Sequence, residues 1–381
     1  MKDDIRFVGL DVHAETITVA VAEAAGGEVR ALGTIPNREE SVRRLVKKLG
    51  PAKGLYCCYE AGPTGYVLYW QLTRMGVECA VVAPTLVPVR PGDRVKTDRR
   101  DAEKLARLYR SGDLTPVWVP DEAHEALRDV VRAREAAKRD QLRARHRLGK
   151  FLLRHGRRPG KKMTAWTVKH LEWVRSVRFE HAALNATLLD YLTEVDHMAE
   201  RIARLERAID EAIEKMPAVM KAVVDGLQAL RGVKKLSAVS VVAEVGPMSR
   251  FDRPRQLMGY SGGVSREDSS GKHVWRGSIT KTGNAHLRRI AGEAAWSYQH
   301  RPCLGPALRK RQAGLSEEVK AIAWKAQHRL HDRYFRLLGR GKHKNKAATA
   351  VARELLGFMW AIGVQVEKEQ AQNASGKPLA A

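Results

Sequence analysis

The sequence predicts an α/β domain at the N-terminus, an all-α middle region and a mainly α-helical C-terminal region. Short apolar runs alternate with helical patterns over residues 1–117, whereas residues 118–225 show helical periodicity and no strand pattern. Glycine-containing turns separate short helical segments over residues 226–366. The polar composition of residues 367–381 predicts a disordered tail.

The N-terminal domain is predicted to open with three short strands, because alternating apolar runs are separated by turn residues such as Gly26-Gly27. Helices and strands then alternate, which indicates parallel strands joined by crossover helices. This β-β-β-α-β-α-β-α order is the ribonuclease-H-like arrangement. The predicted elements are strands 5–11, 16–24 and 28–35, a helix from Asn37 (with Glu40 in a capping box) to Gly50, a strand ending at Glu60, a helix over Thr64–Arg74, a strand over Glu78–Ala83 and a helix from Asp98 to about Arg110.

Four carboxylates stand at the ends of these elements. Asp11 ends the first strand, Glu60 ends the fourth, and Asp98 and Asp101 lie three residues apart at the head of the last helix, on one face. A single acid at a strand end is usually a solvated turn residue, but this order of elements favours a shared site. Oxygen ligands suit Mg²⁺ (or Mn²⁺), which bridges phosphate oxygens, so the acids predict a metal site that cuts nucleic acid.

One competing interpretation shares the first strands. Actin-like sugar kinases also open with a strand ending in Asp, but their phosphate loop needs glycines after it, and Asp11-Val12-His13-Ala14-Glu15 has none. The kinase interpretation is therefore disfavoured. His13, beside Asp11, is a candidate substrate contact, but it is taken as the next residue on the strand and is therefore expected to point to the other face.

The charge of the chain indicates a polyanionic partner. The formal net charge is +25. Residues 226–381 carry 28 Lys and Arg against 11 Asp and Glu, a net charge of +17, whereas residues 1–117 carry +3 and residues 118–225 carry +5. The segment from Arg132 to Lys169 contains fourteen basic residues and two acidic residues. Positive charges at this density repel one another unless a polyanion such as DNA or RNA binds them. The candidate contacts there are Arg143, Arg145, Arg147, Arg157 and Arg158.

The cysteines and the apolar runs favour a cytosolic protein. Cys57, Cys58, Cys79 and Cys303 form no C-x-x-C pair, so they are expected to be free thiols in a reducing compartment. The N-terminus has no apolar signal region, and no apolar run is expected to be long enough to span a bilayer. No membrane partner is predicted.

The middle region is predicted to contain two long helices, over residues 121–156 and about 179–215. Apolar residues recur in the second helix at three- and four-residue steps, from Leu188 to Ile213. This stripe fits two arrangements: a helical hairpin packed within its own domain, or a coiled-coil arm that joins two protomers.

The C-terminal region contains two candidate nucleic-acid elements. The segment Leu227–Val245 loosely resembles a helix-hairpin-helix module, with Lys234-Lys235 in place of the usual small turn. Residues 265–272 are predicted to form a loop, and residues 276–289 to lead into a helix. A serine in that loop is either a turn former or a nucleophile for a phosphodiester. The cations that would stabilise the developing charge are Lys272, Arg276, Lys281, Arg288 and Arg289.

At this point the chain resembles a known family, the DEDD-type insertion-sequence transposases of family one-ten, which are RNA-guided (bridge-RNA) recombinases. The resemblance covers nearly the whole chain and rests on two signatures in the correct order. The N-terminal signature comprises Phe7–His13, Tyr59–Gly65 and Lys96–Ala102, and the C-terminal signature comprises Ser270-Gly271-Lys272 and Ile279–Arg289.

The resemblance implies a mechanism with two kinds of catalytic group. It implies a RuvC-like domain, similar to Holliday-junction resolvases, in which Asp11, Glu60, Asp98 and Asp101 bind metal. It also implies a serine nucleophile in a C-terminal transposase domain; Ser270 fits the family's Ser-Gly pair, with Ser269 as the adjacent alternative. Composite sites formed between protomers of a homo-oligomer (dimer to tetramer), a DNA substrate and a guide RNA are implied as well.

Two other functions stay open. One is a metal-dependent, resolvase-like nuclease without a covalent intermediate. The other is a nucleic-acid-binding protein with a lost active site, which the four intact acids disfavour.

Overall fold

The computed structural model describes residues 5–88, 96–160, 163–271 and 273–376. The chain forms two compact units, Met1–Val119 and Pro120–Ala381. The first unit contains a mixed β-sheet with helices, and the second is mainly helical, so the predicted α/β and helical classes are confirmed at that level.

The N-terminal unit is built on a five-stranded sheet of order β3-β2-β1-β4-β5. The first three strands pair antiparallel, and β1, β4 and β5 pair parallel. The predicted order of elements is confirmed. The bounds are β1 Arg6–Val12, β2 Thr16–Glu23, β3 Arg30–Pro36, α1 Glu39–Leu49, β4 Leu55–Glu60, α2 Val67–Arg74, β5 Glu78–Val82 and α3 Asp98–Ser111.

Helices cover both faces of this sheet. On one face, Val8 and Leu10 of β1 pack in a core with α1 and α2. On the other face, Cys58 packs with Leu105 of α3. Since side chains alternate along a strand, each strand sends every second residue toward α3.

The start of α1 differs from the prediction. The helix begins at Glu39 with Arg38 at the N-cap position, so Asn37 and Glu40 form no capping box. The Asn37 side chain instead donates a hydrogen bond to the backbone oxygen of His13, at 2.8 Å. An amide that binds the β1–β2 turn is not available to cap the helix.

The C-terminal unit contains ten α-helices and one two-stranded sheet within its described residues. Their bounds are α4 Glu122–Arg154, α5 Val168–Ser176, α6 Ala182–Lys215, α7 Ala218–Leu227, α8 Lys235–Val245, α9 Pro254–Tyr260, β6 Ser265–Ser270, β7 His273–Ile279, α10 Ala285–Ala295, α11 Pro306–Gln312, α12 Glu317–Gly339 and α13 Lys344–Ala374.

The two long helices of the middle region, α4 and α6, form an antiparallel hairpin within the chain. Three ion pairs join the two helices, and their residue numbers rise along α4 while they fall along α6, as in an antiparallel pair: Arg134 with Glu206, Asp140 with Arg201, and Arg147 with Glu194. The apolar stripe of α6 is buried mainly against α4 and α5, with Leu188, Leu192 and Val195 in one cluster. Intrachain packing therefore accounts for the stripe, and a coiled-coil contact between protomers stays a prediction.

Helix α13 is the central helix of the C-terminal core. It packs against α7, α9, α10 and α12. By length and composition α13 could cross a membrane, which corrects the expectation that no run is long enough, but half of its most apolar window is buried inside the protein. That burial is typical of a core helix.

The disordered tail is predicted to begin at residue 367, but the structure is helical beyond that point. Helix α13 continues to Ala374, and the Glu367 carboxylate accepts hydrogen bonds from the backbone nitrogens of Met248 and Ser249, at 2.6 and 2.8 Å. These bonds use amide hydrogens at a helical turn, which fixes the segment that composition alone assigned to the tail. Residues 377–381 lie outside the described residues.

Candidate active site

The carboxyl ends of β1 and β4 bring Asp11 and Glu60 to one edge of the sheet. The two strands are parallel, and Leu10 pairs with Tyr59, so the acids that follow are neighbours. Asp11 lies two residues after Gly9, and Glu60 lies two residues after Cys58. Alternation therefore turns both carboxylates toward the α3 face.

Helix α3 approaches β1 closely, and this contact places its first turn beside the strand ends. A Cβ atom added to Gly9 would stand 2.1 Å from the Ala102 backbone oxygen. Ala102 and Ala106 of the helix pack against Ala20 and Ala22 of β2, so small side chains line the contact. No larger residue fits at Gly9 without moving α3, whose first turn carries Asp98 and Asp101.

The head of α3 is capped locally. The Thr97 hydroxyl accepts a hydrogen bond from the Arg100 backbone nitrogen, at 3.4 Å. Asp98 and Asp101 in the first turn also suit the positive end of the helix dipole, which by itself would explain acids there. Their proximity to acids from two strands calls for a further explanation.

The other acids affect the ionisation of both Asp11 and Glu60. Burial raises the pKa of Asp11 above its ordinary value, and repulsion from Asp98 and Asp101 raises it further, against the opposing effect of His13. Burial also raises the pKa of Glu60, and Asp101 and Asp11 add to that rise. A bound cation would favour the ionised forms of Asp11 and Glu60, which burial and repulsion disfavour.

We refer to Asp11, Glu60, Asp98 and Asp101 as the four-carboxylate site. The donors are hard oxygen atoms from two strands and one helix, a set that fits a divalent cation such as Mg²⁺ or Mn²⁺. The Lys96 ammonium group lies 3.9 Å from the Asp101 carboxylate. Among the described residues, Asp11, His13 and Asp98 have ligand atoms within 4.8 Å of one another, and this group does not include Glu60 or Asp101. The structure therefore brings Asp11 and Asp98 to the spacing of metal ligands, and Glu60 and Asp101 stay predicted ligands.

His13 faces the four-carboxylate site, which corrects the expectation that it points away. Its Nε2 atom lies 3.3 Å from Asp11 Oδ2 and 3.7 Å from Asp98 Oδ1. The reason is simple: His13 is two residues after Asp11, not one, so both side chains leave the strand on the same side. The two-residue period of a strand is the sequence signal that places His13 on this face.

The segment that carries Ser270 is a β-hairpin, not the predicted loop. Ser265–Ser270 form β6 and pair antiparallel with β7. Ser270 ends β6 and pairs with His273, and Gly271 takes a left-handed φ of 56° where the chain reverses. A glycine with this backbone favours a tight two-residue connection.

The two candidate serines differ in their surroundings. The Ser269 hydroxyl donates a hydrogen bond to the Glu267 carboxylate at 3.0 Å. Ser270 is exposed, and its hydroxyl has no hydrogen-bond partner among the described residues. Trp275, which sequence reasoning missed, lies on the same face of the hairpin as Ser270 and is 62% exposed.

Backbone hydrogen bonds join the two segments that flank this hairpin, from the Lys281 nitrogen to the Gly262 oxygen at 3.0 Å and from the Asn284 nitrogen to the Tyr260 oxygen at 2.8 Å, and a buried polar network holds Asn284 at this base. The Glu244 carboxylate, 1% exposed, accepts two hydrogen bonds from Arg132, at 2.7 and 2.8 Å, and one from the Asn284 amide at 2.7 Å. Burial alone would raise the pKa of Glu244, but these hydrogen bonds outweigh it and lower the pKa. Gly283 also packs tightly, since an added Cβ would stand 2.3 Å from the Tyr260 oxygen.

The predicted cations around the serine fall into two groups. Arg288 donates to the Ser261 backbone oxygen, and Arg289 pairs with Glu135 and Glu293, so both bind the protein itself. The more exposed cations are Arg276, which pairs with Glu267 on the hairpin, and Lys281, which has a left-handed φ of 58°. Lys272 lies outside the described residues.

The nucleic-acid contacts predicted in the middle region, residues 118–225, which we call the basic arm, also differ in their surroundings. Arg143 and Arg147 pair with Asp140 and Glu194, and Arg145 lies over the Trp166 ring. The remaining two are Arg157, which stacks on Phe179 and donates to the Arg178 oxygen, and Arg158, which has no partner among the described residues. The acids of α6 thus neutralise part of the charge that sequence reasoning assigned to a polyanion.

The helix-hairpin-helix-like segment is packed on the protein. Its turn lies between α7 and α8, and a Cβ atom at Gly232 would stand 2.6 Å from the Ala294 backbone oxygen. Lys235 pairs with Asp210 of α6 at 2.6 Å. A role of this turn in gripping phosphates stays a prediction.

Comparisons with known proteins place the chain among transposases. Residues 8–156 match a transposase model of the DEDD type of IS110, and residues 224–310 match the model described as "Transposase IS116/IS110/IS902 family". The chain is 46% identical over 359 residues to the putative transposase y4qE of Sinorhizobium fredii, covering 93% of this chain and 88% of that protein. It is 34% identical over 331 residues to the transposase for insertion sequence element IS1533 of Leptospira borgpetersenii, covering 86% and 95%.

Proposed function

Because the chain belongs to the IS116/IS110/IS902 family of transposases, we propose that it cuts and rejoins the DNA of an insertion sequence with a divalent cation at the four-carboxylate site. The observation that carries this proposal is the meeting of carboxylates from β1, β4 and α3 at one sheet edge, where burial and, after it, repulsion between the acids raise the pKa of Asp11 and Glu60. The sheet order also supports a ribonuclease-H-like, RuvC-like domain.

The side chains of the N-terminal unit would hold and orient the reacting phosphate. A bound Mg²⁺ or Mn²⁺ would supply Lewis acidity at the phosphate oxygens. Asp11 and Glu60 are fixed by strands of the buried sheet, and Asp98 and Asp101 are fixed by the close packing of α3. A site on such rigid elements keeps its geometry without substrate, which favours catalysis by positioning.

Ser270 is the nucleophile of the cutting step in this proposal. Its hydroxyl oxygen forms a bond to phosphorus, the bond from phosphorus to one sugar oxygen breaks, and the serine proton is released while the sugar oxygen gains one. In the joining step a sugar hydroxyl attacks the same phosphorus, the serine–phosphorus bond breaks and the serine oxygen regains a proton. The exposed position of Ser270, at the end of β6 beside the Gly271 turn, supports this role because a DNA strand can reach it. Ser269, which donates to Glu267, is the less suitable neighbour.

A second function, a resolvase-like nuclease without a covalent intermediate, is favoured by one observation. No general base contacts the Ser270 hydroxyl among the residues that the structure describes. In that case water would attack the phosphate at the four-carboxylate site, and the C-terminal hairpin would only bind DNA.

DNA, a guide RNA and a second protomer are the partners of the proposed reaction. The net charge of +17 over residues 226–381 and the exposed arginines of the arm support nucleic-acid binding. The guide RNA and a dimer or tetramer with composite sites rest on the family resemblance alone.

A covalent-link experiment separates the two functions. The unmodified protein should leave a protein–DNA adduct that survives denaturing gels and disappears with protease. Ser270→Ala should lose both the adduct and strand exchange, because alanine has no attacking oxygen. The matched variant Ser269→Ala should keep both.

The outcomes distinguish the two functions clearly. If Ser269→Ala fails while Ser270→Ala recombines, the nucleophile is the neighbouring serine. If both variants cleave DNA as the unmodified protein does and no adduct forms, the hydrolytic nuclease is correct and the transposition chemistry proposed for Ser270 is wrong.

A further inference from the structure

We propose that His13 is a nitrogen ligand of the cation at the four-carboxylate site and that it shifts the preference of this site from Mg²⁺ toward Mn²⁺. This inference rests on the proposed function, since it assumes that the carboxylates bind a metal. It adds a nitrogen donor to a set of oxygen donors, and it adds a metal preference that oxygen donors alone would not give.

The position of the imidazole carries the inference. Ligand atoms of Asp11, His13 and Asp98 all lie within 4.8 Å of one another. Adjacent ligands about 2.1 Å from one ion in octahedral geometry are about 3 Å apart. The distances from His13 Nε2 to Asp11 Oδ2 and Asp98 Oδ1, 3.3 and 3.7 Å, are close to that spacing. Small side-chain rotations suffice to bring the three atoms around one ion.

The backbone holds His13 in this position. Its nitrogen donates a hydrogen bond to the Thr16 oxygen at 2.8 Å, which closes the turn between β1 and β2. The Asn37 side chain donates to the His13 oxygen at 2.8 Å, and the Asn37 nitrogen donates to the Glu15 oxygen at 2.9 Å. A residue that sequence reasoning assigned to a helix cap therefore pins the turn, and the imidazole needs little reorganisation to bind.

The chemistry of the ligand gives the metal preference. Carboxylate oxygens accept both Mg²⁺ and Mn²⁺, whereas imidazole is a ligand of transition metals and a poor one for Mg²⁺. A single nitrogen at an otherwise all-oxygen site should therefore strengthen Mn²⁺ binding selectively. Removal of His13 should lower Mn²⁺ affinity and leave Mg²⁺ affinity nearly unchanged.

Pulsed electron paramagnetic resonance of Mn²⁺ bound to the full chain tests this directly. We expect ¹⁴N coupling from a directly bound imidazole in the unmodified protein and its loss in His13→Ala. Titration calorimetry should show Mn²⁺ binding weakened about tenfold or more by His13→Ala, with Mg²⁺ changed less than about twofold. Glu15→Gln, in the same exposed turn, is the matched control and should keep both the coupling and the affinities.

Asp11→Asn separates this inference from the proposed function. If Asp11→Asn weakens both metals while His13→Ala changes neither affinity nor coupling, the carboxylates bind the metal and the role of His13 is overturned. If Asp11→Asn leaves Mn²⁺ binding intact, the four-carboxylate site itself is wrong, and this inference is overturned with it.

Discussion

The two candidate catalytic regions are built in opposite ways. The four-carboxylate site lies at the edge of a sheet whose central strands are buried, with Val8 at 0% and Leu10 at 1% exposure. The hairpin that carries Ser270 is exposed along almost all of β6. Packing therefore fixes the acids throughout their elements, whereas it fixes the serine only at the base of its hairpin.

This difference fits the different roles proposed for the two regions. A metal site needs several ligands within a few tenths of an ångström, which a packed core provides. A nucleophile that must reach a DNA strand needs access, which an exposed hairpin provides. The base of the hairpin is nevertheless held firmly, through Glu244 and its partners Arg132 and Asn284.

The largest effect on stability is expected at the base of the hairpin. Glu244→Ala removes the buried carboxylate that accepts hydrogen bonds from the Asn284 amide and from Arg132, and should lower the free energy of unfolding of the C-terminal unit by about 2–3 kcal/mol. Chemical denaturation measures this. The matched variant Glu267→Ala, which loses an ion pair on the exposed hairpin itself, should leave stability unchanged. Equal losses in both variants would contradict the contrast between an anchored base and an exposed tip.

A smaller effect is expected from the charge of the metal site. The folded-state pKa values of Asp11 and Glu60 are raised, so the stability linked to these groups is fully present below their unfolded-state pKa values and is lost as pH rises through the folded-state values. Without metal, Asp11→Asn should therefore raise the melting temperature at pH 7 by roughly 1–4 °C and should not raise it near pH 3. Thermal melts with and without Mg²⁺ measure this, and Mg²⁺ should stabilise only the unmodified protein. A melting temperature lowered by Asp11→Asn at pH 7 without metal would contradict the repulsion.

The smallest effect is expected at a single arm residue. A phosphate contact by Arg158 contributes about 0.9 to the slope of log affinity against log salt for duplex DNA, so Arg158→Ala should flatten that slope by about one. Arg134→Ala, which breaks the ion pair with Glu206 inside the helical hairpin, should leave the slope unchanged. A flat salt response in the unmodified protein would remove the argument for nucleic-acid binding by the arm.

The sequence predicted the N-terminal unit well because its periodicity is simple. Buried strands read as short apolar runs, and the residues that end them, Asp11 and Glu60, meet wherever parallel strands pair in register. The close approach of α3 at Gly9 could not be predicted, since it depends on the facing alanines of β2 and α3.

The sequence predicted the C-terminal unit less well, for physical reasons. The hairpin strand β6, Ser-Arg-Glu-Asp-Ser-Ser, is polar throughout and has weak strand propensity, so only its pairing with β7 defines it. The basic residues of α4 predicted a surface open to a polyanion, because the acids of α6 that pair with some of them, such as Glu194 and Glu206, are distant in sequence. Long-range pairing of this kind leaves no local pattern.

The most direct measurement of the central claim is DNA strand cleavage by variants of the four-carboxylate site in Mg²⁺. Asp11→Asn and Asp101→Asn remove ligand charge without opening a cavity, so we expect cleavage to fall about 100-fold or more while folding and DNA binding persist. Asp113→Asn, an exposed acid of the same unit that accepts a hydrogen bond from Ser111, should cleave normally. Normal cleavage by Asp11→Asn would contradict the assignment of the metal site.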